Sequence, residues 1–72
     1  MTKIYDTAEL GALIKSKRAK LEITQSQLAD VSGSGTRFIS ELENGKQTIQ
    51  IGKAIETLHM LGLDLYISER GS

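Results

Sequence analysis

The run Ile23-Thr24-Gln25-Ser26-Gln27-Leu28 fixes the start of a helix more firmly than any other segment of this chain. Thr24 is suited to the N-cap, where its hydroxyl accepts from an early backbone N–H. Gln27 at N3 can reach back and close a capping box. Ile23 before the cap and Leu28 at N4 form a hydrophobic staple across it. The helix ends near Ser32, because Gly33 follows. A helix this short is marginal by itself in water, so it requires partners to pack against.

Those partners are legible on both sides. A first helix is expected over about residues 8–21, capped by Asp6 or Thr7, with Glu9 three after Asp6 as in a second capping box. Leu10, Leu13, Ile14 and Leu21 share one face, and Lys15, Lys17, Arg18 and Lys20 lie largely off it. A third helix is expected from about Thr36, with Gly35 as its cap, Ile39 and Leu42 turned inward and Gly45 ending it. The fourth is expected to be capped by Thr48, with Ile51, Ile55, Leu58 and Leu61 as its apolar stripe and Gly62 as its stop. Residues 63–68 then alternate with period two, Leu63, Leu65 and Ile67 against Asp64, Tyr66 and Ser68, which predicts a strand. Lys3-Ile4-Tyr5 is a candidate for a second, very short one. The expectation is an all-α chain, one domain over 1–72, with a helical core at 7–61 and a strand at 62–68.

A chain of 72 residues builds a thin core and commonly needs outside support. It has no cysteine, which excludes disulfides and thiolate metal sites, and one histidine, His59, which argues against a histidine cluster. No cofactor or metal is expected, so oligomerisation is the remaining support. No apolar run approaches the roughly 20 residues of a membrane span, and the N-terminus lacks the apolar stretch of a signal peptide. A cytoplasmic protein with no membrane partner is expected. No nucleophile–base pair and no phosphate-cradling glycine loop is suggested, so an enzyme is not expected. Nine basic residues balance nine acidic ones, yet Lys15, Lys17, Arg18 and Lys20 crowd together, and distribution matters more than the sum.

Two helices joined by a tight glycine turn, the second with a polar face, describe a helix-turn-helix. The second helix must enter a DNA major groove about 12 Å wide, so its outward residues must be small or hydrogen-bonding. The first braces it and offers its N-terminus to phosphate, the place that Gln25 occupies.

Ile23-Thr24-Gln25-Ser26-Gln27-Leu28-Ala29, then Gly33, then Ile39-Ser40-Glu41-Leu42-Glu43-Asn44-Gly45-Lys46, resembles the phage-repressor-like (Cro/C1, XRE) helix-turn-helix family. The match runs from about Leu13 to Lys46 with unbroken spacing. Lys3-Ile4-Tyr5 and the helix-glycine-strand ending are similar to those of the HipB-type antitoxins. The resemblance implies a compact four-to-five-helix, lambda-repressor-like domain. It also implies a dimeric repressor of double-stranded DNA that partners a HipA-type kinase toxin. One departure is Ser34-Gly35, where the family usually has an apolar residue and then Ser or Thr. It leaves room for a looser turn and removes a capping hydroxyl at position 35.

Within this frame Arg37 is the first candidate to read a base, since an arginine at the start of a groove helix can grip guanine O6 and N7. Its alternative is a solvated surface charge. Thr36 and Ser40 are candidates for base or phosphate contact. Glu41 can accept from cytosine N4, although an acid near DNA is usually repelled. Gln25, Asn44 and Lys46 are phosphate candidates, Asn44 being explained equally by ending the helix. Lys15, Lys17 and Lys20 are read as a solvated face or as backbone contacts, His59 as a surface or interface residue and Phe38 as packing. By resemblance, Arg18 pairs with Glu43 and ties helix one to the end of the recognition helix. The strand at Leu63, Leu65 and Ile67 needs a ladder partner. The same strand of a second copy supplies it economically across a two-fold axis, giving a homodimer on a palindromic operator. The rival reading is a protein-binding antitoxin module that chiefly neutralises a kinase.

Overall fold

The computed structural model describes residues 1–71 and folds into α1 (Thr7–Lys20), α2 (Gln25–Ser32), α3 (Thr36–Glu43) and α4 (Ile51–Met60). Caps set most of these boundaries. Asp6 caps α1 by accepting from the Glu9 N–H at 2.8 Å, while the Glu9 carboxylate reaches one residue further back, to the Tyr5 N–H at 2.7 Å. In α2 the box is complete: Thr24 accepts from the Gln27 N–H, and Gln27 accepts from the Thr24 N–H. Gly33 leaves α2 in the left-handed region at φ 69°, and the Ser34 N–H closes back on the Ala29 carbonyl at 3.0 Å. The turn is therefore closed rather than loose, and the Ser34 hydroxyl is held 2.9 Å from that of Ser32. At Gly35 no side chain caps α3.

Helix α4 differs from its expectation in cap and in facing. It begins after Gln50 with no side-chain cap, and Thr48 lies in the preceding turn. Ala54, Thr57, Leu58 and Leu61 face the core, while Ile51 is largely exposed and Ile55 half-buried. The rotation is possible because the Thr57 hydroxyl donates to the Lys53 carbonyl at 2.9 Å, so this polar residue is buried without an unpaired group. Leu21 likewise falls outside the core, as the C-cap of a helix that outruns it.

The core joins Leu10, Ile14, Leu28, Ala29, Ile39, Leu42, Ala54, Leu58 and Leu61, with Ile4, Ile23, Phe38, Ile49 and Leu63 packed on its margin. Helix α1 lies on α3, and α2 bridges α3 and α4. Among the described residues no strand forms. Residues 63–69 carry neither helix nor strand, and 3–5 do not pair with them. Among the described residues the alternating segment has no ladder partner, and a strand exists only with one. Among the described residues no helix is long and apolar enough to cross a membrane.

Helix α1 and the end of α3 approach each other closely at Gly11. A Cβ on Gly11 would meet the Leu42 carbonyl oxygen, the Glu43 carbonyl oxygen at 2.6 Å and the Glu43 carbonyl carbon at 2.8 Å, all backbone atoms. One α1 turn earlier, the Thr7 hydroxyl donates to the Gly45 carbonyl at 2.8 Å. Gly11→Ala improves helix propensity by up to about 1 kcal/mol but must push two backbones apart. A net loss of about 1–3 kcal/mol is expected, as for overpacked sites. Urea unfolding measures it, and a variant as stable as the parent would show that the seam is not tight.

Candidate nucleic-acid interface

Helix α3 turns Ile39, Leu42 and Glu43 inward and Thr36, Arg37, Ser40, Glu41 and Asn44 outward, the split that a 3.6-residue repeat gives. Thr36, Arg37 and Asn44 are exposed, Ser40 and Glu41 half-buried, and the Arg37 side chain is 91% exposed. Asn44 serves as the C-cap of α3. Past it, Gly45 at φ 80° reverses the chain, the Lys46 N–H returns to the Glu41 carbonyl at 3.1 Å, and the Lys46 ammonium meets the Glu41 carboxylate at 3.0 Å. Arg37 Nε lies 3.8 Å from the same oxygen, Oε2. The three charged side chains form one cluster on the outer face.

Behind that face lies the bracing pair. Arg18 donates through Nε to Glu43 Oε2 at 2.6 Å and through Nη2 to Oε1 at 3.0 Å, a two-point clasp. Arg18 Nη1 also donates to the Ile23 carbonyl at 2.9 Å, and the Gln25 amide donates to Glu43 Oε1 at 3.1 Å. The Glu43 side chain is 2% exposed and that of Arg18 16%. Burial opposes the charge on Glu43. The hydrogen bonds from Arg18 and Gln25, with the positive charges of Arg18 and Lys15, outweigh it and hold the carboxyl below the ordinary glutamate value. The hydrogen bond to Glu43, against the opposing effect of burial, raises the Arg18 guanidinium above its own.

The structure thus gathers Thr36, Arg37, Ser40, Glu41, Asn44 and Lys46 on one edge, with Gln25 at the start of α2 tied to the end of α3. Gln25 enters a contact that spacing did not foresee, since its amide is engaged with Glu43. Among the described residues the Gln25 and Ser26 N–H groups meet no protein acceptor, so the α2 N-terminus still presents donors. The Glu41–Lys46 contact was also missed, and the glycine reversal at 45 was the signal for it. Leu63 is half-buried, whereas Leu65 is 47% and Ile67 94% exposed. The Lys53 ammonium sits 5.7 Å from the Phe38 ring centre, and Phe38 packs on the core margin.

Comparison with known proteins gives a consistent family. A family model described as helix-turn-helix matches residues 14–67. A Sinorhizobium fredii (strain NBRC 101917 / NGR234) protein described as an uncharacterized HTH-type transcriptional regulator, y4mF, is 42% identical over 69 residues, covering 96% of this chain and 91% of its own. The ImmF control region 10 kDa protein of Bacillus phage phi105 is 31% identical over 64 residues, covering 89% and 71%. Among solved structures, a chain of a HipB-O4 20mer complex superposes with a TM-score of 0.88 at 27% identity, covering 97% of this chain and 99% of that one. A chain of a HipA-HipB-O2-O3 complex matches with the same TM-score, identity and coverage.

The clasp generates two tests. Arg18→Met or Glu43→Gln strands one member of a largely buried pair, so each is expected to cost about 3–5 kcal/mol, with the double variant well short of additive. Small additive losses in denaturant unfolding would show that the pair does not brace the fold. Because the Glu43 value is lowered on folding, its contribution is full above the ordinary value of 4.5 and is lost as pH falls through the folded value. Stability against pH should therefore decline on the acid side, with a shallower decline in Glu43→Gln.

Proposed function

The chain belongs to the phage-repressor-like (Cro/C1, XRE) helix-turn-helix family of DNA-binding transcriptional regulators, and on that premise we propose that it is a sequence-specific repressor acting as a homodimer. We read it as the HipB-like antitoxin of a toxin–antitoxin operon that it autoregulates in the cytoplasm, with 1–72 as one DNA-binding domain. The observation that carries the reading is the outward face of α3. Thr36, Arg37, Ser40 and Glu41 stand clear of the core on a helix braced from behind by Arg18 and Glu43. In a major groove Arg37 would read guanine, and Thr36 and Ser40 would contact bases or nearby phosphates. The α2 N-terminus at Gln25, together with Asn44 and Lys46, would fix the register on the phosphate backbone.

The dimer reading rests on surface left over by the fold. An open groove bordered by Ile4, Leu13, Ile51, Leu58, Leu63 and Leu65 runs between the N-terminal segment, α4 and the C-terminal segment. Residues 64–68 make no backbone hydrogen bond among the described residues, and their apolar side chains are exposed. Pairing of Leu63, Leu65 and Ile67 with the same segment of a second copy would complete the ladder and cover the groove. It would set two recognition helices on half-sites about 34 Å apart, which calls for a palindromic operator. The resemblance to a chain solved in a HipA-HipB-O2-O3 complex supports a second reading, in which the chain also binds and neutralises a HipA-type kinase.

Arg37→Ala should weaken binding to the operator by about 1–3 kcal/mol and relax preference at one base position. Binding should fall steeply with salt as counterions are released. Fluorescence anisotropy over a set of operator variants checks both, and an Arg37→Ala variant with parental affinity and preference removes Arg37 as a reader. Truncation after Leu61 should convert the dimer into a monomer in sedimentation at tens of micromolar. A full-length chain that is already monomeric there would overturn the dimer.

A further inference from the structure

The outward face of α3 holds an acid where a DNA surface disfavours one, and the geometry around that acid gives it a use. Glu41 offers one oxygen, Oε2, to both cations of the face, Lys46 at 3.0 Å and Arg37 at 3.8 Å. The Lys46 contact is built in, since the Gly45 reversal returns the Lys46 N–H to the Glu41 carbonyl and delivers the ammonium to the carboxylate of the same residue. The Arg37 contact is made through Nε, and among the described residues no acceptor holds its terminal Nη groups. Those Nη atoms form the outer edge of the guanidinium, and a carboxylate on the Nε side leaves them available to another acceptor.

We propose that Glu41 is a specificity-determining residue of the DNA interface. It orients Arg37 as a base-reading fork and withholds Arg37 and Lys46 from phosphates of unmatched DNA. This inference rests on the DNA-binding reading given above. On an unmatched duplex a phosphate that pulls Arg37 Nε or the Lys46 ammonium to itself takes that cation from Glu41. The released carboxylate then stands unneutralised in a strongly negative field, so non-specific binding is discounted. On a matched site Arg37 grips its base through its Nη groups while Nε stays with Glu41, so the carboxylate keeps a cation even where Lys46 turns to phosphate. Discrimination between sites is a difference of affinities, and this arrangement acts on both sides of that difference. The side chains of Arg37, Glu41 and Lys46 are 91%, 32% and 45% exposed, so the cluster trades partners without disturbing the core.

The test uses the full chain, a 20-base-pair duplex enriched from a random pool by the wild-type protein, and a scrambled duplex of equal composition. Glu41→Gln keeps the shape and removes the charge. It should bind the scrambled duplex about five- to tenfold more tightly and the enriched duplex no more tightly, so the specificity ratio falls by the same factor, within the scale of one base contact. In an Arg37→Ala background the same substitution should change the ratio far less. Glu56→Gln, an equal charge change at an exposed position on α4, should move both duplexes alike and leave the ratio unchanged. Equal gains on both duplexes, or no change on either, would overturn the proposal, as would a loss on the enriched duplex with the scrambled one unaffected, which marks direct base reading by Glu41. A wild-type chain that is folded by circular dichroism and binds no duplex at low salt removes the DNA-binding reading itself, an outcome distinct from those.

Discussion

The Arg18–Glu43 clasp is the contact on which the geometry of this small protein turns. It links the last turn of α1 to the last residue of α3, and through the Ile23 carbonyl and the Gln25 amide it also holds the entry to α2. A buried carboxylate without a partner is expensive in a protein interior, and here three donors, Arg18 Nε, Arg18 Nη2 and the Gln25 amide, converge on Glu43. The core alone fixes that these helices pack. The clasp fixes how the start of α2 stands relative to the end of α3, which is the relation that a DNA backbone and a groove must meet together.

The clasp needs the seam beside it. Glu43 comes within reach of Arg18 because α1 presents Gly11, with no side chain, to the carbonyls of Leu42 and Glu43. A larger residue there would lift α1 from α3 and lengthen the charged contact behind it. Close packing and electrostatics are therefore coupled at one place, and outward-facing α3 inherits its position from both. The outer face has an organisation of its own. Its two cations share one carboxylate, so the positive charge of that face is partly neutralised within the chain. This agrees with a chain whose basic and acidic residues are equal in number yet whose fold is that of a DNA-binding family.

The opposite edge is left unfinished by the single chain. Rotation of α4 puts Ala54 and Thr57 inside and leaves Ile51 at the rim of an apolar groove, next to a C-terminal segment with exposed Leu65 and Ile67. A chain this small cannot bury every apolar residue it carries. Of the residues it leaves out, Met1, Tyr5, Ile51, Leu65, Tyr66 and Ile67 border that groove, while Leu21, Val31 and Met60 lie outside it.

The four helices, the boundaries of the first three to within a residue or so, and the turn between α2 and α3 were legible in the sequence. Those depend on caps, glycines and apolar spacing, all of which act over a few neighbouring residues. It also marked the outward residues of α3, because helical periodicity alone sorts 36, 37, 40 and 41 from 39 and 42. The Arg18–Glu43 pair was reached through family resemblance, since no local rule joins residues 25 positions apart. It is packing in three dimensions that makes Gln25 complete that pair, makes Gly11 a contact point rather than a weak helix former, and buries Ala54 and Thr57 of α4 in preference to Ile51. Each depends on what stands opposite in space, and periodicity identifies a face without identifying its partner. The alternating tail shows the same limit from the other side. Its pattern is that of a strand, but the hydrogen bonds that would make it one belong to a ladder that residues 63–69 do not find within the chain.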